Sequence, residues 1–122
     1  MNLPLFVYGT LRSDGPTAGL LGNRRREKAT VRGMLYALPQ GYPALAEGDA
    51  EVQGELVYGI DEAVLQVLDV YEDVDGELYR REVVEARMGM EPVRCWAYVM
   101  VAPWDRGGRV IRSGRWHVRR RG

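Results

Sequence analysis

The chain has a single cysteine, Cys95, and a single histidine, His117. One thiol excludes an intramolecular disulfide and a zinc ribbon. A catalytic Cys–His pair would require these two residues to meet in space. Cys95, between Val93 and Trp96, reads instead as a small buried hydrophobe in a strand. No apolar run is long enough to span a bilayer, and no basic start leads into a long apolar core. The expectation is a cytoplasmic protein without a membrane partner. No glycine-rich run ends in Gly-Lys-Ser or Gly-Lys-Thr, which excludes the usual phosphate-binding loop. Net charge is also lacking: 17 Lys and Arg balance 17 Asp and Glu. Nothing in the total therefore favours a polyanion. The clusters Arg24-Arg25-Arg26 with Lys28, and Arg119-Arg120-Arg121, offer contacts for RNA, but they read as a solvated loop and a frayed tail. Nucleic acid is not an expected partner.

What remains is ordinary globular composition, 46% hydrophobic and 28% charged over 122 residues. That length fits one domain over residues 1–122, able to bury about two thirds of its unfolded surface without a metal or disulfide staple. Leu3 to Val7 reads as a short strand running into a turn-rich loop. Residues 17–28 carry a weak signal for a short helix. Thr30 to Leu38 reads as a strand buried on both sides, and Pro39 to Asp49 as a loop punctuated by Gly41, Pro43 and Gly48. Glu51 to Tyr58 alternates as a strand, with Val52, Gly54, Leu56 and Tyr58 on one face. A helix follows from Asp61, a good N-cap, to near Glu72. Leu78 to Ala86 and Val93 to Val101 form two more strands, joined irregularly around Gly89. From Pro103 onward a covering segment is expected. Strands around one central helix imply an α+β domain with a curled sheet or small barrel.

The helix pattern breaks at one residue. Leu65, Leu68 and Glu72 share a face, widened by Val64, Val67 and Tyr71. Glu62, Gln66, Asp69 and Asp73 share a polar face with an easy surface explanation, and Asp69 reads as a surface group or a support to the site rather than a catalyst. Glu72 extends the core-facing stripe at the helix C-terminus. Loss of water there raises a carboxyl pKa, and the negative pole of the helix pushes the same way. Such a group can exchange protons near neutral pH. Two other readings stay open on periodicity alone: a frayed helix end with Glu72 in solvent, and a structural ion pair with Arg80 or Arg81. The turn at Tyr8-Gly9-Thr10 can present backbone N–H groups to an anion, with Arg12 nearby to meet a carboxylate. Tyr79 and Tyr98 read either as sheet packing or as phenols lining a pocket.

Taken together, these segments resemble the gamma-glutamylcyclotransferase-like superfamily, particularly its small bacterial branch. The resemblance rests on Phe6-Val7-Tyr8-Gly9-Thr10-Leu11-Arg12, Gly41-Tyr42-Pro43-Ala44-Leu45 and Val52-Gln53-Gly54-Glu55-Leu56. It continues through Leu68-Asp69-Val70-Tyr71-Glu72, Leu78-Tyr79-Arg80-Arg81 and Ile111-Arg112-Ser113-Gly114-Arg115-Trp116. It spans Leu5 to Trp116. Two departures are local: Asp73 stands where many relatives have glycine, and Arg115 where an acidic residue is common. The resemblance implies a small mixed β-barrel flanked by helices. It implies a transferase or lyase that converts a gamma-glutamyl amine or peptide into 5-oxoproline and a free amine, with no cofactor and no metal. Glu72 would be the general base and acid. Tyr8, Gly9, Thr10, Leu11 and Tyr98 would bind substrate, and Tyr79 and Arg81 would support Glu72. The partner would be a small gamma-glutamyl substrate, and the protein a monomer or homodimer. A noncatalytic module binding a small metabolite on the same fold is the alternative.

Overall fold

The computed structural model describes residues 2–9, 18–72, 74 and 78–116. Thr10, Leu11, Arg12, Asp73, His117 and the Arg119–Arg121 tail lie outside the described residues. Strands β1 (Leu5–Val7), β2 (Arg26–Ala37) and β3 (Pro43–Val57) precede helix α1 (Glu62–Tyr71). Strands β4 (Arg80–Met88), β5 (Glu91–Val99) and the short β6 (Arg109–Val110) follow it. Short 3₁₀ turns occupy Ala18–Leu21 and Pro103–Arg106.

Five strands close into a mixed barrel. β2 pairs antiparallel with β3 and β4, β3 with β1, and β4 with β5. The ring is completed by a parallel contact between β1 and β5, Leu5 opposite Trp96. Closure leaves few exposed strand edges. Among the described residues one α-helix and the two 3₁₀ turns flank the barrel.

Alternation along the strands builds two cores. Phe6, Val31, Leu35, Val52, Leu56 and Cys95 fill the barrel. Leu5, Val7, Val57 and Tyr98 point the other way, toward Leu65 and Leu68 of α1. Cys95 is buried as its neighbours suggest, and burial pushes its thiol up to about 12.

Three expectations change. Pro43 to Asp49 is strand rather than loop, because β3 is continuous from Pro43 to Val57. Its pairing with β2 jumps between Gly33–Ala50 and Met34–Ala46, so residues 47–49 bulge out. Glu47, Gly48 and Asp49 sit in that bulge, and their polarity imitates a loop. Val67 and Tyr71 do not widen the buried stripe of α1; they are 60% and 41% exposed. The barrel offers the helix a narrow seam that Leu65 and Leu68 fill. Finally, β4 and β5 join through a tight two-residue turn rather than an irregular one, with Met88 opposite Glu91. Gly89, at φ 62°, supplies the left-handed backbone that such a turn requires.

Candidate active site

The site begins with the helix. Asp61 accepts a hydrogen bond from the Val64 N–H at 2.9 Å, which fixes the start of α1. Leu65 and Leu68 then anchor it on the outer face of the barrel. The helix ends at Tyr71, and Glu72 is its C-cap, at φ −86° and ψ 3°. The Glu72 N–H still bonds the Leu68 carbonyl at 2.8 Å, so the backbone position of Glu72 is set by the last turn. From there its side chain lines an open cavity of about 390 Å³.

The same cavity is lined by Tyr8 and Gly9 from the end of β1, Tyr98 from β5, and Tyr79 just before β4. The structure therefore brings together every predicted site residue that it describes except Arg81. Thr10 and Leu11, the remaining predicted binding residues, lie outside the described residues. Gly9 has a steric reason to be glycine. A Cβ there would come within 2.6 Å of Pro43 Cγ, so a side chain would collide with the opposite wall.

The three phenols are bound to the framework. The Tyr8 hydroxyl donates to the Tyr98 carbonyl at 2.5 Å and accepts from the Leu45 N–H at 3.2 Å. The Tyr79 hydroxyl donates to the Pro43 carbonyl at 2.6 Å. The Tyr98 hydroxyl donates to Asp69 Oδ1 at 2.7 Å. Burial is the main reason that all three titrate above the ordinary phenol range. The charge of Glu72 adds to each, which places the four groups in one electrostatic neighbourhood. None of these tyrosines is a phenolate at neutral pH.

Of the two readings of Asp69, a surface group or a support to the site, the structure shows the support. Asp69 is half-buried and takes both arms of Arg81, at 2.9 and 3.2 Å, besides the Tyr98 hydroxyl. Arg81 also lies over the Trp96 ring, 4.4 Å from its centroid. Arg81 thus engages Asp69, one turn before Glu72, rather than Glu72 itself. The effect is to clamp the end of α1 to β4 and β5.

Glu72 is left without such a partner. Its carboxylate makes no hydrogen bond or ion pair with another described residue. Burial raises its pKa from 4.5 to about 7, and burial is the sole cause. Both protonation states are therefore populated near neutral pH, which suits a group that takes and returns a proton.

Sequence reasoning missed the Asp69–Arg81–Tyr98 clamp and the wall formed by Leu38, Gln40 and Tyr42. It also missed Arg106, which lines the cavity from the C-terminal segment. The Gly41-Tyr42-Pro43 motif was the available signal for the wall. Arg106 had none, because its placement depends on β6 pairing with β2. Among the described residues, no group of three or more His, Cys, Asp or Glu is arranged to hold a metal ion. No helix among them is long and apolar enough to cross a membrane.

A closed five-stranded barrel with one α-helix among the described residues is a fold shared with known proteins. Residues 5–118 match the family described as gamma-glutamyl cyclotransferase, AIG2-like. A Vibrio cholerae protein, to which gamma-glutamylcyclotransferase activity is provisionally ascribed, is 38% identical over 97 residues. That match covers 78% of this chain and 79% of the relative. The gamma-glutamylaminecyclotransferase of Bos taurus is 29% identical over 108 residues, covering 78% of this chain and 64% of the bovine one. The crystal structure of YkqA from Bacillus subtilis superposes with a TM-score of 0.76 at 27% identity. It matches 95% of this chain, which spans only 40% of YkqA. The chain belongs to the gamma-glutamyl cyclotransferase, AIG2-like family.

Proposed function

We propose that the protein converts a gamma-glutamyl amine or peptide into 5-oxoproline and a free amine, with Glu72 as the sole proton carrier. The observation that carries this reading is the unpaired Glu72 carboxyl, raised to about 7 by burial, on a cavity shared with Tyr8 and Gly9. Glu72 takes one proton from the substrate's alpha-ammonium. The freed amine attacks the gamma carbonyl of the same molecule, forming the lactam C–N bond. The gamma amide C–N bond then breaks, and Glu72 returns its proton to the departing nitrogen. Glu72 then takes the second proton, left on the ring nitrogen by the attack, and passes it to the departing amine, so that the lactam nitrogen ends with one hydrogen and the amine with three. The four hydrogens present at the start are thus accounted for, and neither water nor a co-reactant is consumed.

The reaction is an intramolecular acyl transfer, so nucleophile and electrophile arrive already tethered. The protein's share is orientation, proton transfer and stabilisation of the developing oxyanion. In this reading the Tyr8-Gly9-Thr10-Leu11 segment supplies main-chain donors for that oxyanion. Tyr79 and Tyr98 shape the cavity, with their hydroxyls held by Pro43 and Asp69. A cytoplasmic location accords with a lone buried cysteine.

The test is incubation with a panel of gamma-glutamyl compounds, following 5-oxoproline by chromatography. Wild type should release it, and Glu72→Gln should lose at least about a hundredfold in rate, as expected for loss of general acid–base catalysis. A folded Glu72→Gln protein with wild-type turnover refutes the mechanism. Tight retention of a gamma-glutamyl compound without turnover by wild type would favour a binding module instead.

A further inference from the structure

Two carboxylates at the end of α1, Asp69 and Glu72, stand beside one arginine, Arg81. They are three residues apart, a spacing that sets neighbouring side chains about 5–6 Å apart at Cβ on a helix. The Glu72 N–H still bonds the Leu68 carbonyl at 2.8 Å, so helical spacing holds as far as Glu72. Both carboxylates also border Tyr98, whose hydroxyl bonds Asp69 Oδ1 at 2.7 Å and which lines the cavity together with Glu72. Arg81 nevertheless goes wholly to Asp69. Its Nε and Nη2 reach Oδ1 and Oδ2 at 2.9 and 3.2 Å, a fork on both oxygens. Two features of the barrel favour Asp69 over Glu72 in this competition. Arg81 and Tyr98 stand opposite each other in the β4–β5 register, so guanidinium and phenol arrive together and share Oδ1. Trp96, two residues before Tyr98 and so on the same face of β5, offers the guanidinium its ring, 4.4 Å away at the centroid. The Arg81 and Asp69 side chains are 19% and 26% exposed, which shields the pair from most of the solvent. The neighbouring Arg80 is exposed and pairs with Glu82 at 2.9 Å.

Building on the cyclotransferase reading, we infer that Asp69 is a positioning residue for proton transfer: by holding both arms of Arg81 it keeps a guanidinium away from Glu72, whose carboxyl is thereby left unpaired on the cavity. Anchoring α1 does not by itself require this choice of partner, because an Arg81–Glu72 pair would also tie the helix end to β4. The chemical consequence differs. A guanidinium at hydrogen-bond distance favours the carboxylate and lowers its pKa by about 1–3 pH units. A glutamate paired in that way holds no proton near neutral pH to return to the departing nitrogen. With Arg81 withdrawn, burial alone sets the Glu72 carboxyl, at about 7. The other titratable or charged groups lining the cavity, among the described residues, are Tyr8, Tyr42, Tyr71, Tyr79, Tyr98 and Arg106. All of them stay in place when Asp69 or Arg81 is replaced, so a change in Glu72 traces to the pair.

The experiment follows the Glu72 carboxyl by carbon-13 NMR titration, its signal assigned by loss in Glu72→Gln, alongside the acid limb of kcat/KM for 5-oxoproline release. Wild type should titrate near 7. Asp69→Asn keeps an acceptor for Tyr98 but removes the charge that holds Arg81. Its Glu72 midpoint should fall by about one pH unit or more, and the acid limb should move with it. Asp69→Glu retains the charge and should keep the midpoint near 7. Asp69→Asn combined with Arg81→Gln leaves no guanidinium to migrate, and its midpoint should return to near 7. Asp69→Ser serves the same comparison if the asparagine variant does not fold. An unmoved midpoint in Asp69→Asn, with the rate lowered equally at every pH, reduces Asp69 to a mechanical clamp and overturns the assignment. A fall that persists in the double variant has a source other than Arg81 and overturns it too. Either result leaves the cyclotransferase reading intact. The NMR titration does not depend on turnover. The expected midpoints without 5-oxoproline release from any gamma-glutamyl compound therefore uphold the effect of Asp69 on Glu72 and overturn the cyclotransferase reading. A wild-type midpoint near 4.5 overturns both.

Discussion

Replacing Glu72 with glutamine keeps the shape of the side chain and removes its titration, and the account makes a quantitative forecast for stability. The native state holds the Glu72 proton up to about pH 7, whereas an ordinary carboxyl releases it near 4.5. Between those values the folded protein binds more protons than the unfolded chain. Stability from this residue is therefore fully present below 4.5 and lost as pH rises through about 7. Across that interval the loss is about 3 kcal/mol at the limit, from 1.36 kcal/mol per pH unit. The cavity is open, and water there screens part of the penalty, leaving about 1–2 kcal/mol. Glutamine resembles the protonated acid at every pH. Urea unfolding of both proteins from pH 4.5 to 8.5 should thus show a difference near zero at the acid end. By pH 8 the Glu72→Gln variant should be more stable by about 1–2 kcal/mol. The same variant that loses activity would gain stability, the usual consequence of a strained functional group. A difference that is flat with pH, or one favouring wild type at pH 8, would show that Glu72 is not held in its neutral form by burial.

Two further perturbations test the walls of the site. Asp69→Ala leaves the Arg81 guanidinium and the Tyr98 hydroxyl without their shared acceptor; urea denaturation should show a loss of about 1–3 kcal/mol, and 5-oxoproline release should fall because the end of α1 is no longer clamped. Gly9→Ala places a methyl group against the Pro43 ring; thermal melting should report a loss of about 1–3 kcal/mol, and KM for any gamma-glutamyl substrate should rise as the wall shifts.

The legible parts of the molecule were those written in short-range pattern. The α1 start at Asp61, the alternation from Glu51 to Val57 and the burial of Cys95 follow from local chemistry. Glu72 stood out because it breaks an apolar stripe at a helix end. What stayed hidden depends on distant partners. Asp69 looks solvent-facing on a helix wheel, and only the barrel brings Arg81, twelve residues on, against it. Pro43 to Asp49 carries loop-like residues because a bulge within β3 needs them. Arg106 belongs to the site through a two-residue strand, too short to leave a periodic signal. The tyrosines were visible as candidates, but their hydroxyl partners are main-chain carbonyls and Asp69, which no sequence spacing specifies.

Proton transfer by Glu72 is tested most directly by the pH dependence of kcat/KM for 5-oxoproline release from a gamma-glutamyl compound, which reports the titration of the free enzyme. Only the carboxylate form can accept the substrate's proton, so the rate should rise with pH to a midpoint near 7. Below that midpoint it should fall about tenfold for each pH unit. An acid limb centred near 4.5, or a rate unchanged between pH 5 and 8, would contradict the account.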